Sequence, residues 1–384
     1  MYIKRLVNLD IDHLDRSIFI FGPRQTGKSA FLRHQGPRDA YQVNLLDTKV
    51  RREFEARPWL LRERLKVLVP VPSLVVIDEI QLVPELLNEV HLLIEESGIT
   101  FILTGSSARK LRHAGVNLLG GRADELYFHP LSAMEIGLDQ FDLDRACKFG
   151  LLPPAYFSKT PQRFLKAYGS QYLEQEIRLE GLVRSLPAFS RFLETAALRS
   201  GSQLNLESIA QDSGVARSTV AEYLRILYDT FIAVEIEPWG KSSKRKPVRT
   251  SKMYFFDFGV ARYMAGLPAV EPKTKDYGEA LEHLVLHELK TWLDFHLDDR
   301  QITFWRTITG IEVDFVIDSS TGIEVKAKQH ISDQDLKGLR ALSEEGVTKL
   351  YLISLESESR THQGIEILTF KDFVVKLWKG QVLT

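Results

Sequence analysis

The chain has 384 residues, too many for one ordinary hydrophobic core, so two or three domains are expected. Hydrophobic content of 44% and charged content of 26% are those of a soluble globular protein, and a net charge of −1 confines any nucleic-acid contact to a local basic patch. The one cysteine, Cys147, excludes an internal disulfide and suits a reducing, cytoplasmic compartment. Acidic residues close to Met1 argue against a signal peptide, and no apolar run approaches a membrane span, so no membrane contact is expected.

Residues 1–135 alternate short apolar runs with helical patterns, which predicts a parallel α/β sheet. The runs are Ile18–Phe21, Gln42–Leu46, Leu74–Ile77, Thr100–Thr104 and Glu125–His129. After the first comes Gly22-Pro-Arg-Gln-Thr-Gly-Lys-Ser29, which satisfies G-x-x-x-x-G-K-[ST] and leads into the helix-forming Ala30-Phe-Leu-Arg-His34. This strand–loop–helix context is that of a phosphate-binding loop, so a nucleoside triphosphate, ATP, is the expected ligand. Main-chain N–H groups across Gly22, Pro23, Arg24, Gln25, Thr26 and Gly27 would cradle the phosphates at a helix N-terminus. Lys28 would reach the β- and γ-phosphates, and the Ser29 hydroxyl would ligate Mg²⁺.

Leu74-Val-Val-Ile-Asp-Glu79 is an apolar run ending in two carboxylates. A buried parallel strand delivers that end to the ligand-binding edge of its sheet. Asp78 would hold the Mg²⁺ shell and Glu79 would polarise the attacking water. At the end of the next run, Thr104 and Ser106 are placed to sense the γ-phosphate or orient water; helix capping by the serine is the alternative. Arg122, in Gly120-Gly-Arg-Ala123, is a candidate cation for the transition-state charge, acting in cis or on a neighbouring subunit of a homo-oligomer. Arg24 is the other candidate for that role.

Taken together, Gly22–Ser29, Ile77-Asp-Glu-Ile-Gln81, Leu103-Thr-Gly-Ser-Ser107, Gly121-Arg122 and His129-Pro-Leu-Ser132 resemble one family of prokaryotic AAA+-type ATPases. Its marks are the G-P-R-Q-x-G-K-[ST] loop and the D-E-I-Q box. The resemblance covers essentially the whole chain. It implies ATP hydrolysis and a C-terminal domain of unknown function suspected of being restriction-endonuclease-like.

Residues 136–240 read mostly as helices. Within them, Leu206–Leu227 reads as a helix-turn-helix in which Ile209, Ala210 and Val215 pack with Val220, Leu224 and Leu227, and Gly214 supplies the turn. Phe231–Glu237 alternates like the first strand of a wing. Arg217, Ser218, Thr219 and Glu222 would lead such a helix into a major groove, making DNA the expected partner. Lys241, Lys244, Arg245, Lys246, Arg249 and Lys252 form a basic loop suited to phosphate contacts. Winged-helix modules also serve as protein docking units or ATPase lids, and that reading stays open.

Residues 250–384 return to mixed strands and helices. Ile311–Asp318 and Gly322–Lys328 read as a hairpin about Ser319-Ser-Thr-Gly322, placing Asp314 opposite Glu324 and Lys326. An Asp followed by E-x-K on the adjacent strand is the constellation of PD-(D/E)XK nucleases, where carboxylates hold Mg²⁺ and the lysine stabilises charge. Glu282 lies on the stripe of Val285, Leu286, Leu289 and Leu293, and such a carboxylate needs a cation; a metal beside Asp314 and Glu324 would supply one. An ion-paired edge strand is the plain alternative. Asp257 reads as a helix cap, and His283 and His287 as solvated residues on the outer face of the long helix.

The expected fold class is therefore α/β, with a P-loop AAA+-like sheet domain (1–135), a helical and winged-helix middle (136–240) and a restriction-endonuclease-like α/β domain (250–384). The expected function is ATP-driven DNA binding, remodelling or cleavage. A nucleotide-gated switch or scaffold for protein partners, with an inert nuclease fold, is the alternative.

Overall fold

The computed structural model describes residues 2–8, 10–11, 14–109, 111, 119–169, 183, 185–241 and 244–383. Lys110 and residues 170–182 of the expected helical middle lie outside the described residues. Two compact units are present. The first comprises Met1–His129, Asp229–Ile232 and Asp294–Leu297; the second comprises Pro130–Tyr228, Ala233–Leu293 and Asp298–Thr384.

Among the described residues of the first unit, five strands form a parallel sheet in the order β2-β3-β4-β1-β5. They are β1 (Ser17–Phe21), β2 (Tyr41–Asn44), β3 (Leu74–Asp78), β4 (Thr100–Gly105) and β5 (Ala123–Tyr127). Strands covered on both faces read as unbroken apolar runs, and every residue of β1 is buried. Phe19, Phe21, Val75, Ile77, Phe101 and Leu103 pack with Phe54, Leu61, Leu87 and Val90 from the helices Thr48–Ala56, Leu60–Lys66 and Leu86–Ser97. Burying each such side chain contributes about 1.5–3 kcal/mol.

In the second unit the described residues form a nine-stranded mixed sheet in the order β13-β14-β12-β11-β10-β9-β7-β8-β6. Its strands are β6 (Ser202–Gln203), β7 (Ala233–Pro238), β8 (Lys252–Phe255), β9 (Ile302–Arg306), β10 (Glu312–Ile317), β11 (Thr321–Lys326), β12 (Lys349–Ser354), β13 (Arg360–His362) and β14 (Ile365–Thr369). The helix pair Leu206–Ser213 and Arg217–Asp229 is present, with Gly214 at φ 64° between the two and Ile209, Val220, Leu224 and Leu227 buried. The strand expected to open a wing is present. As β7 it pairs with β8 and runs parallel to β9, so middle and C-terminal segments share one sheet.

The long helix Lys275–Phe295 corrects the reading of its two histidines. It is buried around its whole circumference from Ala280 to Leu289, apart from the half-buried Glu282, so it has no solvated face there. His283 packs edge-on to Tyr254 and Phe258, and burial pushes its ring down to about 4, against a backbone bond at Phe255. His287 Nε2 lies 3.0 Å from the Leu131 carbonyl. Asp257 caps the helix Phe258–Met264 through Val260 N and also accepts from Leu151 N at 2.7 Å.

Glu288 of the same helix is fully buried, accepting from Ala133 N at 2.6 Å and Trp378 Nε1 at 3.0 Å. Burial pushes its carboxyl up to about 7, although both bonds pull it back. The folded chain therefore keeps a proton that an unfolded glutamate releases near pH 4.3, and this stabilisation is complete below that pH and lost as pH rises to about 7. The stability of the native chain relative to Glu288→Gln should fall by roughly 3 kcal/mol between pH 4 and 7. Denaturant titrations at stepped pH measure it, and a difference independent of pH contradicts the assignment.

Candidate functional site

Parallel pairing brings the phosphate-loop sequence to one edge of the first sheet. Phe21 pairs with Gly105, and Gly22 N donates to Gly105 O at 3.2 Å. Gly22 is required there, since a Cβ would stand 2.2 Å from the Phe128 carbonyl oxygen. Gly27, at φ 103°, opens the helix Lys28–Gln35. The buried Lys28 curls back, its Nζ donating to Gly22 O at 2.7 Å and Pro23 O at 3.0 Å. Thr26 Oγ1 closes the loop on Pro23 O at 2.9 Å. From the N-terminal segment, the buried Arg5 donates to Thr26 O at 2.7 Å and His129 O at 2.9 Å, with its guanidinium 4.2 Å from the Phe128 ring centre.

The ends of β3 and β4 supply the polar groups. Ser29 Oγ donates to Asp78 Oδ2 at 3.0 Å, and Thr104 Oγ1 donates to Asp78 Oδ1. The Glu79 amide in turn donates to Thr104 Oγ1 at 3.0 Å. Glu79 is buried in the left-handed region, at φ 62° and ψ 50°, a conformation a non-glycine residue adopts only at a cost. Gln81 Nε2 donates to Glu79 Oε2 and, at 3.0 Å, to Ser106 Oγ; Arg24 Nε reaches the same hydroxyl at 3.3 Å. Lys28, Ser29, Asp78, Glu79, Thr104, Ser106 and Arg24 thus meet at one sheet edge.

These residues fit a magnesium–triphosphate group: a hydroxyl and a carboxylate already paired are hard oxygen ligands, and an ammonium sits within a loop at a helix N-terminus. Bound there, magnesium held by Ser29 and Asp78 would neutralise phosphate charge.

Arg122 is not brought to this edge. It directly precedes β5, whose Ala123 pairs with Ser17 at the start of β1, while the phosphate loop follows the end of β1. Five strand residues at about 3.3 Å each separate the two edges. Arg122 pairs instead with Glu95.

A second cluster lies on β8, β10, β11 and the long helix. The hairpin turns tightly at Asp318 and Ser319, at φ 47° and 59°, so Gly322 lies inside β11. Phe315 pairs with Ile323, and Asp314 Oδ2 accepts from Val325 N at 2.8 Å, which seats Asp314 beside Glu324. Lys326 Nζ bonds Glu324 Oε1, while Glu324 Oε2, buried, has no partner among the described residues. Burial, then Glu324 and Glu282, push the Asp314 carboxyl well above its ordinary range, against Lys326 and Lys252. Burial likewise raises Glu324 to about 7, against Lys326.

Lys252 was expected in the basic loop; it opens β8 instead and is buried. Its Nζ stands 2.7 Å from Glu312 Oε1 and 3.3 Å from Glu282 Oε1, and Tyr254 OH donates to the same Glu282 oxygen at 2.5 Å. Burial pulls the Lys252 ammonium down, but Glu282, Asp314 and Glu312 together hold it above its usual value. Among the described residues, no group of three His, Cys, Asp or Glu side chains stands arranged to hold a metal ion. Glu282 Oε1 is already taken by Lys252 and Tyr254, and among the described residues Glu324 Oε2 is the one buried oxygen of this set without a partner, while Asp314 beside it is raised by burial.

The basic loop is correspondingly reduced. Arg245 pairs with Glu344 at 2.6 Å and Glu345 at 3.5 Å, leaving Lys241, Lys244, Lys246 and Arg249 exposed. On the helix pair, the exposed Arg217 pairs with Glu207 at 2.5 Å.

Comparison with known proteins agrees with the first site. Residues 14–137 match the AAA domain. An AAA-type, nucleotide-binding ATPase is what this match supports. Residues 140–271 and 277–373 match two domains of unknown function, DUF8612 and DUF4143. Two uncharacterized proteins, of Mycobacterium bovis and Mycobacterium tuberculosis, are each 24% identical over 320 residues, covering 80% of this chain and 70% of theirs. No described helix is long and apolar enough to cross a membrane.

Sequence reasoning missed Lys252, Glu312 and Tyr254 in the second cluster, and Arg5 and Gln81 in the first. The one local signal for Lys252 is the apolar Met253-Tyr-Phe255 that follows it and makes it a strand residue. Removing one partner from a buried ion cluster costs about 3–5 kcal/mol, so Lys252→Met should destabilise the chain by that much, with Lys252→Arg retaining most of the loss. Chemical denaturation reads this out; a Lys252→Met variant as stable as the native chain contradicts the buried pairing.

Proposed function

We propose that this chain is a magnesium-dependent ATPase that binds DNA and processes it through its C-terminal carboxylate cluster. The observation that carries the ATPase reading is the meeting of Lys28, Ser29, Asp78, Glu79 and Thr104 at one edge of a parallel sheet, within residues that match an AAA domain. In this reading Lys28 binds the β- and γ-phosphates, Glu79 accepts the proton of the attacking water, and Arg24 faces the γ-phosphate.

DNA binding draws on the exposed Lys241, Lys244, Lys246 and Arg249 and on the helix pair that ends in Asp229. Cleavage would use Asp314 and Glu324, with Glu282, as metal ligands and Lys326 as the charge-stabilising lysine. The buried, singly cysteine-bearing chain composition suits a reducing cytoplasm.

One observation favours a second reading, a nucleotide-gated switch or scaffold for protein partners with an inert nuclease fold. Lys252 already supplies a cation to Glu282 and Glu312.

Lys28→Ala should abolish ATP turnover, and Glu79→Gln should bind ATP while hydrolysing it at least 100-fold more slowly. Native turnover should rise with duplex, single-stranded or branched DNA and lose that stimulation at raised salt. Turnover indifferent to every DNA, together with no cutting in Mg²⁺ or Mn²⁺, supports the scaffold reading. Any observed cleavage that survives Lys326→Ala removes the proposed nuclease site.

A further inference from the structure

The D-E-I-Q box carries a fourth residue for which the ATPase reading has no use. Gln81 is buried in a short 3-10 turn, Ile80–Leu82, directly after the catalytic-edge carboxylates. Its side-chain nitrogen donates to Glu79 Oε2 and to Ser106 Oγ, the latter at 3.0 Å. Among the described residues its side-chain oxygen, buried, has no hydrogen-bond partner.

Resting on the ATPase reading, we infer that Gln81 is the positioning residue that aims Glu79 at the attacking water. A carboxylate rotates readily about its terminal bond, and either oxygen then faces the substrate. Here both side-chain bonds to Glu79 fall on one atom: Oε2 accepts from Gln81 Nε2 and from Ser106 Oγ at 3.3 Å. Rotation breaks both bonds at once. Among the described residues no side chain donates to Glu79 Oε1, so that oxygen is the one left to take a proton.

Ser106 donates to Glu79 and accepts from Gln81 Nε2 and, at 3.3 Å, from Arg24 Nε. The bond to Glu79 fixes which way the Gln81 amide points, because exchanging its oxygen and nitrogen would set acceptor against acceptor there. The amide holds that orientation although, among the described residues, it leaves the oxygen unpaired, which is unfavourable for a buried acceptor. An apolar residue would fill the same space without that cost. Glu79 itself sits at φ 62°, a second local cost at the same point. Two unfavourable features held together by a convergent set of bonds mark a constraint on geometry rather than on packing.

The experiment compares steady-state ATP turnover, ATP affinity by calorimetry and thermal midpoint in the full chain. In Gln81→Met, kcat should fall roughly 10- to 100-fold while ATP affinity and thermal midpoint stay at native values or above. The isosteric Gln81→Glu, which repels Glu79, should lose more than the methionine variant. Ser106→Ala, which removes the other bond, should show the same split with a smaller loss, and serves if Gln81→Met fails to fold. In a Glu79→Gln background, Gln81→Met should cost nothing further, because no base is left to aim. Native turnover by Gln81→Met, or a loss that multiplies undiminished onto Glu79→Gln, overturns the inference. A native chain that neither binds nor hydrolyses ATP instead overturns the ATPase reading on which it rests.

Discussion

The pairing of β1 with β4, from Ile18 with Ile102 to Phe21 with Gly105, is the constraint on which the first site depends. Parallel strands put all their C-terminal ends on one side. In the order β2-β3-β4-β1-β5, that rule sets the loop after Phe21 beside the ends of β4 and β3. The polar residues then need no long-range search: Thr104 is the penultimate residue of β4, Asp78 ends β3, and one hydroxyl bonds both the Asp78 carboxylate and the Glu79 amide. The same rule keeps Arg122, which leads into a strand rather than out of one, away from this edge of its own chain. Position along a parallel strand decides the matter, not nearness in sequence to a glycine pair.

The second unit solves a different electrostatic problem. Four carboxylates, Glu282, Glu312, Asp314 and Glu324, crowd around three cations, Lys252, Lys326 and Arg306. Burial and the neighbouring carboxylates disfavour the excess negative charge, which raises Asp314 and Glu324 toward their protonated forms. Replacing so many charges by apolar residues would ordinarily be no loss to stability. Within the cluster Glu324 Oε2 is left, among the described residues, without a hydrogen-bond partner.

What was legible from residues alone follows the range of the interactions. The central runs of the first sheet, β1, β3 and β4, were readable because strands buried on both faces carry their own signature, and the loop between Gly22 and Ser29 because its motif is contiguous. The hairpin of β10 and β11 was readable to within a residue or two, its turn being local. Lys252, His283, His287 and Glu288 were not, since each owes its burial to elements far away in sequence. A lysine beside five other basic residues looks solvated until its strand is known to lie between β7 and β6. Alternation in residues 231–237 likewise defines a strand, which pairs antiparallel with β8, but not its parallel partner β9.

The phosphate loop is held from outside as well as from within, and this bears on how it binds. Arg5 is anchored twice, through its guanidinium on Thr26 O and His129 O and through its backbone, whose amide donates to Gln35 Oε1 at 2.6 Å and whose carbonyl accepts from Gln35 Nε2 at 3.0 Å. The aromatic faces of Phe128 and Phe295 lie 4.2 and 5.3 Å from the same guanidinium. A glycine-rich loop loses much conformational entropy when a ligand orders it. Clamping its Thr26 carbonyl at one end of the first helix and Gln35 at the other meets part of that cost during folding. The binding free energy of the triphosphate is then left for the phosphates themselves. Within the loop, Lys28 Nζ rests on the Gly22 and Pro23 carbonyls, ready to exchange two main-chain acceptors for phosphate oxygens without carrying an unpaired charge beforehand.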